Sequence, residues 1–402
     1  MTILLIVMRS LRQHLLSTII TALSIALAGG LLIAIWVVKT QSQATFTHVN
    51  IGFDAVLGAR GSKLQLVLNS IFHLEASPGN VSQADYEYIK HHPAVKLAIP
   101  IAVGDNLRGF RIVGTIPELF NEVNYAPGKK FEIAGKGRFF DPTQKEAVLG
   151  SFAAERLGLK VGDTFHPFHG VVYNPHGDQH ADLFTVVGVM EPSNTPADKV
   201  VWIPIHGLQT MAGHDPKVAT DVSAVLIQLR SPSAGFRLDT MYNRQGDRLT
   251  FAYPIGAIVA DLFSKIGWFD QVLTLIAYLV ALVSAAGVLV AIYNSMSSRR
   301  RDIAIMRSLG ARRQTIFGAV VLEAAAIGLF GMMCGFVVYF AIAIGVAALI
   351  RAQTGVMLNP YAYDPVMLWA PAGMIALCAL GGLVPAGVAY RTDIASNLVP
   401  TS

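Results

Sequence analysis

Charge is scarce in this sequence. Only 14% of its 402 residues are Asp, Glu, Lys or Arg and 53% are hydrophobic, whereas ordinary soluble domains carry about a quarter charged residues. The shortage points to a membrane protein. Cysteine is nearly missing as well. Cys334 and Cys378 are the whole complement, both inside apolar segments, so no disulfide framework can be read from them. Basic charge is not spread over the chain either. Residues 299–313 hold six arginines against one aspartate, a surplus equal to the whole formal net charge of +5. A diffuse basic surface of the kind that tracks nucleic acid is thereby excluded. Nucleotide loops are missing too: the nearest look-alike, Gly58-Ala-Arg-Gly-Ser-Lys63, lacks the G-x-x-x-x-G-K-[ST] spacing that wraps backbone N–H groups around phosphates. No Ser–His–Asp set or paired-carboxylate arrangement stands at credible spacing, so the chain is not expected to be an enzyme or to bind a cofactor through motifs of its own.

Long apolar runs are present instead. Residues 15–38 contain no charge over 24 positions, enough to cross a hydrocarbon core of about 30 Å as a helix. A secretory signal is the competing reading, but the run exceeds the roughly 7–15 residues of such a segment and no small-x-small site closes it. Three further spans are expected over about 271–294, 315–350 and 366–390, the second of these long enough to tilt or project beyond the bilayer. Arg9 and Arg12 precede the first span, the arginine-rich loop joins the second and third, and Arg391 follows the fourth. Short Arg-rich loops stay cytoplasmic, which places both termini and that loop inside and residues 39–270 outside. Ala22, Ala26 and Gly30, and likewise Gly331 and Gly335, recur at four-residue spacing that lets helices approach closely, within one chain or between copies.

The exported region reads as mixed α/β. The runs 110–116, 145–150, 183–190 and 200–205 are rich in β-branched residues and bounded by breakers. Residues 82–92 and 151–159 carry helical spacing, each starting at Ser. His73 lies in an apolar run that reads as helix, and residues 255–270 lead helically into the second span.

On a helical wheel, Ile303, Ile305, Met306 and Leu309 share one arc, while Arg300, Arg301, Arg307 and Ser308 take the other. Asp302 falls inside the apolar arc. Gly310 then breaks the helix. An anchor on anionic lipid headgroups explains the arginines; a docking helix for a cytoplasmic protein also explains the apolar stripe and the acid.

The segment 302–336, DIAIMRSLGARRQTIFGAVVLEAAAIGLFGMMCGF, resembles the FtsX-like permease domain of MacB-, LolC- and FtsX-type (type VII) ABC systems, with Ile303, Arg307, Leu309, Gly310, Ala311, Ile316, Glu323, Gly331 and Gly335 at matching positions. Residues 147–165 with 184–189 resemble the MacB-type periplasmic core, and 385–398 is similar to the family's closing segment without its terminal Arg. The resemblance implies a four-span helical membrane protein, one span plus three, with a large extracytoplasmic α/β domain. Its parts would be residues 1–38, the exported domain 39–270, and the permease domain 271–402 with a coupling helix at 299–313. It further implies an inner-membrane permease subunit, homodimeric, docked through Arg301, Asp302, Ile303, Met306, Arg307, Leu309 and Gly310 on a separate cytoplasmic ABC ATPase that holds the ATP and Mg. ATP-driven closure is then transmitted to the exported domain, which is called mechanotransmission. A non-transporting regulator of an extracytoplasmic enzyme and a membrane-anchored ligand sensor are the alternatives.

Two features stand apart. Glu323 lies inside the third span, where an acid is costly and marks function by default; a partner across helices and a place at the dimer interface are expected. Where the resemblance implies only a short connection, this chain carries HPFHGVVYNPHGDQHAD over 166–182, with four of its 11 histidines. His166, His169, His176 and His180 with Asp178 and Asp182 are candidate ligands for a transition metal such as zinc, with an exported metal-binding protein as a further partner. A solvated Gly/Pro loop is the alternative.

Overall fold

The computed structural model describes residues 3–13, 15–48, 52–211, 220–298, 308 and 310–391. Two compact units result, one from Met1–Ser42, Ile266–Ala347 and Asn359–Ser402, the other from Gln43–Lys265 with Ala348–Leu358.

The second unit is a ten-stranded mixed sheet with helices. Its strands are β1 (Ala55–Ala59), β2 (Val95–Leu107), β3 (Phe110–Thr115), β4 (Glu146–Leu149), β5 (Thr164–Phe165), β6 (Phe168–His169), β7 (Phe184–Val189), β8 (Val201–Pro204), β9 (Ala224–Leu229) and β10 (Leu249–Ala252). The order is β10-β1-β9-β2-β3-β8-β4-β7-β5, with β6 added on β2. Pairs β3·β8 and β4·β7 are parallel, and the rest are antiparallel. The four strands read from the sequence are β3, β4, β7 and β8; the others went unread. Strand β2 is the spine, 13 residues long, pairing with β9 through its first half and with β3 and β6 through its second. Arg108 and Gly109, both at positive φ, form the two-residue turn into β3, the geometry that matches the twist of a hairpin.

Around the sheet, the helix Gln83–Lys90 starts at Ser82, whose hydroxyl accepts from the Asp85 N–H, a cap that satisfies one orphan donor of the first turn. The helix Ser151–Leu157 is entered from Gly150 rather than capped by Ser151. The helix Lys63–Ser70 stops short of His73, which sits in a turn at φ 55 with its ring edge-on to Trp202, centroids 5.7 Å apart. Helix was expected there; the left-handed backbone ends it. On one side of the sheet Phe120 stacks on Phe139 at 4.6 Å and meets Phe131, Phe140 and Trp202 edge-on, within a cluster that also buries Ile99, Val113 and Leu226.

The first unit is helical. Among the described residues, three helical stretches are long and apolar enough to cross a membrane, Leu15–Thr45, Arg313–Thr354 and Val366–Val388, and a shorter apolar run, Gln271–Gly287, lies in the helix Ile255–Ser298. A short N-terminal helix, Ile3–Gln13, precedes them and was not foreseen. It is amphipathic: Val7 and Ser10 are buried while Met8, Arg9 and Arg12 are exposed. The spaced small residues pack within this single chain. A Cβ on Gly30 would lie 2.5 Å from the Gly335 carbonyl oxygen, and one on Gly331 would lie 2.7 Å from Ile25 Cβ. Large residues are excluded where the backbones of Leu15–His48 and Arg313–Thr354 meet.

Candidate functional site

The histidine-rich insertion folds as a small hairpin on β2. Asp105 pairs with His169 and Asn106 with Phe168 across the β2·β6 ladder. On the return, Gln179 bridges Phe168, the His169 N–H donates to the Asp178 carbonyl at 2.9 Å, and the His180 N–H donates to the Pro167 carbonyl at 2.9 Å. The tip closes with Gly177 N–H on the Asn174 carbonyl. Buried Asn106 clamps the assembly, its side-chain amide donating to the Gly170 carbonyl at 2.7 Å. A β-bulge at Gly104, between Val103 and Asp105 in the β2·β3 register, immediately precedes the acid; bulges re-aim the neighbouring side chains.

Three donor atoms converge as a result. His180 Nε2 is 3.1 Å from Asp105 Oδ1, His169 Nδ1 is 3.2 Å from His180 Nε2, and His169 Nδ1 is 3.6 Å from Asp105 Oδ1. Asp105 is fully buried and the His180 side chain is 4% exposed, whereas His169 is 56% exposed. An imidazole nitrogen carries at most one hydrogen, so His180 Nε2 can point one proton at only one of its two neighbours. The set is suited to share a cation. Tetrahedral zinc with ligands at about 2.0–2.1 Å requires donor separations of about 3.3–3.4 Å, which the three observed spacings bracket.

Of the six residues the sequence nominated, only His169 and His180 enter this cluster. His166 Nδ1 lies 3.0 Å from the Asp182 backbone oxygen, and the Asp182 carboxylate pairs with Lys145. His176 is exposed at the hairpin tip, and Asp178 contributes its backbone carbonyl. Asp105 was missed because it lies 75 positions before His180 and only strand register joins them. The only local hint was weak: Gly109, a residue that tolerates positive φ, stands between Leu107 and the apolar run of β3, where a turn into an upstream strand is allowed.

In the helical unit, Glu323 is buried and accepts a hydrogen bond from the Ser10 hydroxyl. The expected cross-helix partner therefore comes from the N-terminal helix of the same chain. Of the coupling residues, Arg301, Asp302, Ile303, Met306, Arg307 and Leu309 lie outside the described residues. Gly310 is described and adopts φ 98, the left-handed conformation of a helix-ending glycine.

The end of the helix Arg313–Thr354 belongs to the sheet unit. There Arg351 pairs with Glu155 at 2.8 Å and covers the Phe152 ring at 4.9 Å. Lys199 donates to the Gln353 carbonyl at 2.6 Å. Asn194 grips Met357 from both sides, donating to its carbonyl at 3.2 Å and accepting its N–H at 2.5 Å.

Residues 18–235 match the MacB-like periplasmic core domain, and residues 274–394 match the FtsX-like permease C-terminal domain. The chain is similar to the macrolide export ATP-binding/permease protein MacB of Brucella abortus (strain 2308), at 24% identity over 410 residues, covering 96% of this chain and 58% of that protein. It is similar also to the protein of the same description from Nitrosomonas europaea, at 22% over 389 residues, covering 89% and 56%. The chain thus spans somewhat over half the length of these relatives. Among solved structures, the periplasmic region of MacB from Actinobacillus actinomycetemcomitans aligns with 54% of this chain and 94% of that one, at 11% identity and a TM-score of 0.34, too loose a likeness to bear on the fold. The periplasmic core match alone takes in more than half of the sequence, and the permease match follows it in order, so this chain belongs to the FtsX-like permease family with a MacB-like periplasmic core domain.

Proposed function

We propose that the chain is the permease part of an ATP-driven ABC transporter of the inner membrane that works by mechanotransmission. The observation that carries this is helix length. The helix Arg313–Thr354 has 42 residues and Ile255–Ser298 has 44. At 1.5 Å per residue each is over about 60 Å long, roughly twice a hydrocarbon core of about 30 Å. Both, and Leu15–His48 as well, have residues in each compact unit. Unbroken helices of this length are stiff rods, suited to carry a displacement from the arginine-rich loop to the sheet unit. Residues 1–38, 39–270 and 271–402 are then anchor, exported domain and permease domain, with both termini and the arginine loop in the cytoplasm, as the positive-inside rule requires.

ATP and Mg reside on an ABC ATPase, which residues 299–313 engage, and two permease copies complete the assembly. The histidine hairpin links the transporter to a transition metal such as zinc, handed over by an exported binding protein. Co-expression of the full chain with its ATPase tests the coupling. Wild type is expected to co-purify with the ATPase and raise its turnover, and Met306→Asp or Leu309→Asp to lose both. Unchanged co-purification in both variants would overturn the assignment. Arg351→Ala is expected to keep the ATPase bound while ATP-driven movement of the sheet unit, read as a spin-label distance change, is reduced. Stimulated ATP hydrolysis with no solute moved would favour the regulator of an extracytoplasmic enzyme over a transporter.

A further inference from the structure

We propose that Asp105, His169 and His180 form an exchangeable Zn²⁺ site, with a fourth coordination position left to a water or to a ligand offered by another molecule. The inference deepens the metal link above and rests on it. It replaces the loop-only ligand set with a site anchored in the sheet: one ligand from β2, one from β6, and one from the returning arm of the hairpin. Two of the three are shielded from water, so they are pre-organised rather than recruited from a flexible loop. Their nearest-atom spacings of 3.1, 3.2 and 3.6 Å already match a tetrahedral edge.

The ligand chemistry selects the metal. Two imidazoles and one carboxylate suit zinc and its first-row neighbours, whereas calcium and magnesium prefer oxygen throughout. The count selects the role. A structural zinc site closes with four protein ligands, while three protein ligands leave a position where chemistry or exchange takes place. That position falls on the His169 side, the one exposed member of the set. Among the described residues no other group of three or more His, Cys, Asp or Glu converges in this way. Because the ligands sit on both β2 and the hairpin, a bound ion also ties residues 166–182 to the spine of the sheet.

Competition between the full-length protein in detergent micelles and a chromophoric zinc chelator tests the site. Wild type is expected to take one equivalent of Zn²⁺. His169→Ala, at an exposed position, and the isosteric Asp105→Asn should each weaken binding by at least about tenfold. His166→Ala and His176→Ala should bind as wild type. Co²⁺ in place of Zn²⁺ should give the intense visible bands of a tetrahedral ion, shifting when free imidazole is added. Zinc bound as tightly by His169→Ala and Asp105→Asn as by wild type would overturn this site while leaving the metal link standing. Only millimolar binding by wild type would remove both and reduce the cluster to a buried His–Asp hydrogen bond. A cobalt spectrum indifferent to imidazole would overturn the open position.

Discussion

The two units of this chain are packed by opposite rules. In the sheet unit the centre is bulk: Phe120 touches four aromatic rings and lies with Trp202, Phe131 and Phe140 in one buried cluster. In the helical unit the tightest contacts are made by the smallest residues, Gly30 against Gly335 and Gly331 against Ile25 and Ala22. Large apolar side chains such as Leu16 and Trp369 are exposed there, alongside a buried core that includes Tyr339, Ile25 and Ile33. The difference is one of solvent. Water drives large apolar groups inward, at about 25 cal/mol per Å² buried. Lipid tails are as apolar as leucine, so hiding leucine from them gains nothing, and close backbone approach decides the packing instead. Glycines are tightly packed in both units, so what should set the sheet unit apart is the cost of removing a core aromatic.

Paired substitutions can break that contrast. Phe120→Ala is expected to destabilise the sheet unit by about 3–5 kcal/mol, and Gly30→Leu to destabilise the helical unit by about 1–3 kcal/mol or more through overpacking. Leu16→Ala should be close to neutral. With Trp36, Trp268 and Trp369 replaced by Phe, Trp202 alone reports on the sheet unit during denaturant unfolding, and a Trp202→Phe background reports on the helical unit. If Leu16→Ala cost as much as Phe120→Ala, the two-solvent account would fail.

Acid should also separate the units. Both ring nitrogens of His73 are shielded from solvent; burial, and then the charge of Arg111, hold its pKa down at about 3. An unfolded histidine titrates near 6.5, so between these values the unfolded chain binds the extra proton and stability rises with pH. The contribution is complete above about pH 6.5 and is lost progressively towards pH 3. Between pH 7 and pH 5 the sheet unit should lose about 2 kcal/mol from this residue. His73→Asn keeps a side chain that tolerates the left-handed backbone and should flatten that part of the Trp202-detected pH profile. An equal slope in wild type and variant would show that His73 does not titrate across the transition.

How much of this could be read in the sequence follows the same division. The helical unit was legible because a span announces itself by length: the runs at 15–38, 315–350 and 366–390 lie within helical stretches of the structure. The short helix Ile3–Gln13 was overlooked because arginines on its exposed face break up the apolar run in the sequence. In the sheet unit, β1 and β9 are continuous short apolar runs with buried faces on both sides, which periodicity cannot tell from helix. Strand β2 contains Pro100 and Gly104, residues that argue against a central strand, although Pro100 stands in register with Val225. That hidden strand carries Asp105. The histidines of the insertion could be counted from sequence, but which of them meet, and on which acid, was decided by the β2·β6 register.

A further small effect is expected at a buried polar contact of the helical unit. Glu323 and Ser10 are polar and buried, 313 positions apart, and the hydroxyl donates to the carboxyl group. If lipid made such contacts irreplaceable, deleting either partner would unfold the bundle. Measured interhelical hydrogen bonds in membranes are weaker, averaging about 0.6 kcal/mol and reaching about 1.7, because a membrane helix that has not yet packed also finds partners. A double-mutant cycle of Ser10→Ala and Glu323→Gln, followed by unfolding in mixed micelles, should therefore give a coupling energy of about 0.6–1.7 kcal/mol. Glu323→Gln alone should cost less than Glu323→Ala, since the amide oxygen still accepts from Ser10. A coupling energy near zero would mean that the acid is kept in the membrane for something other than this contact. One of several kcal/mol would mean that small-residue packing is not what holds the N-terminal helix in place.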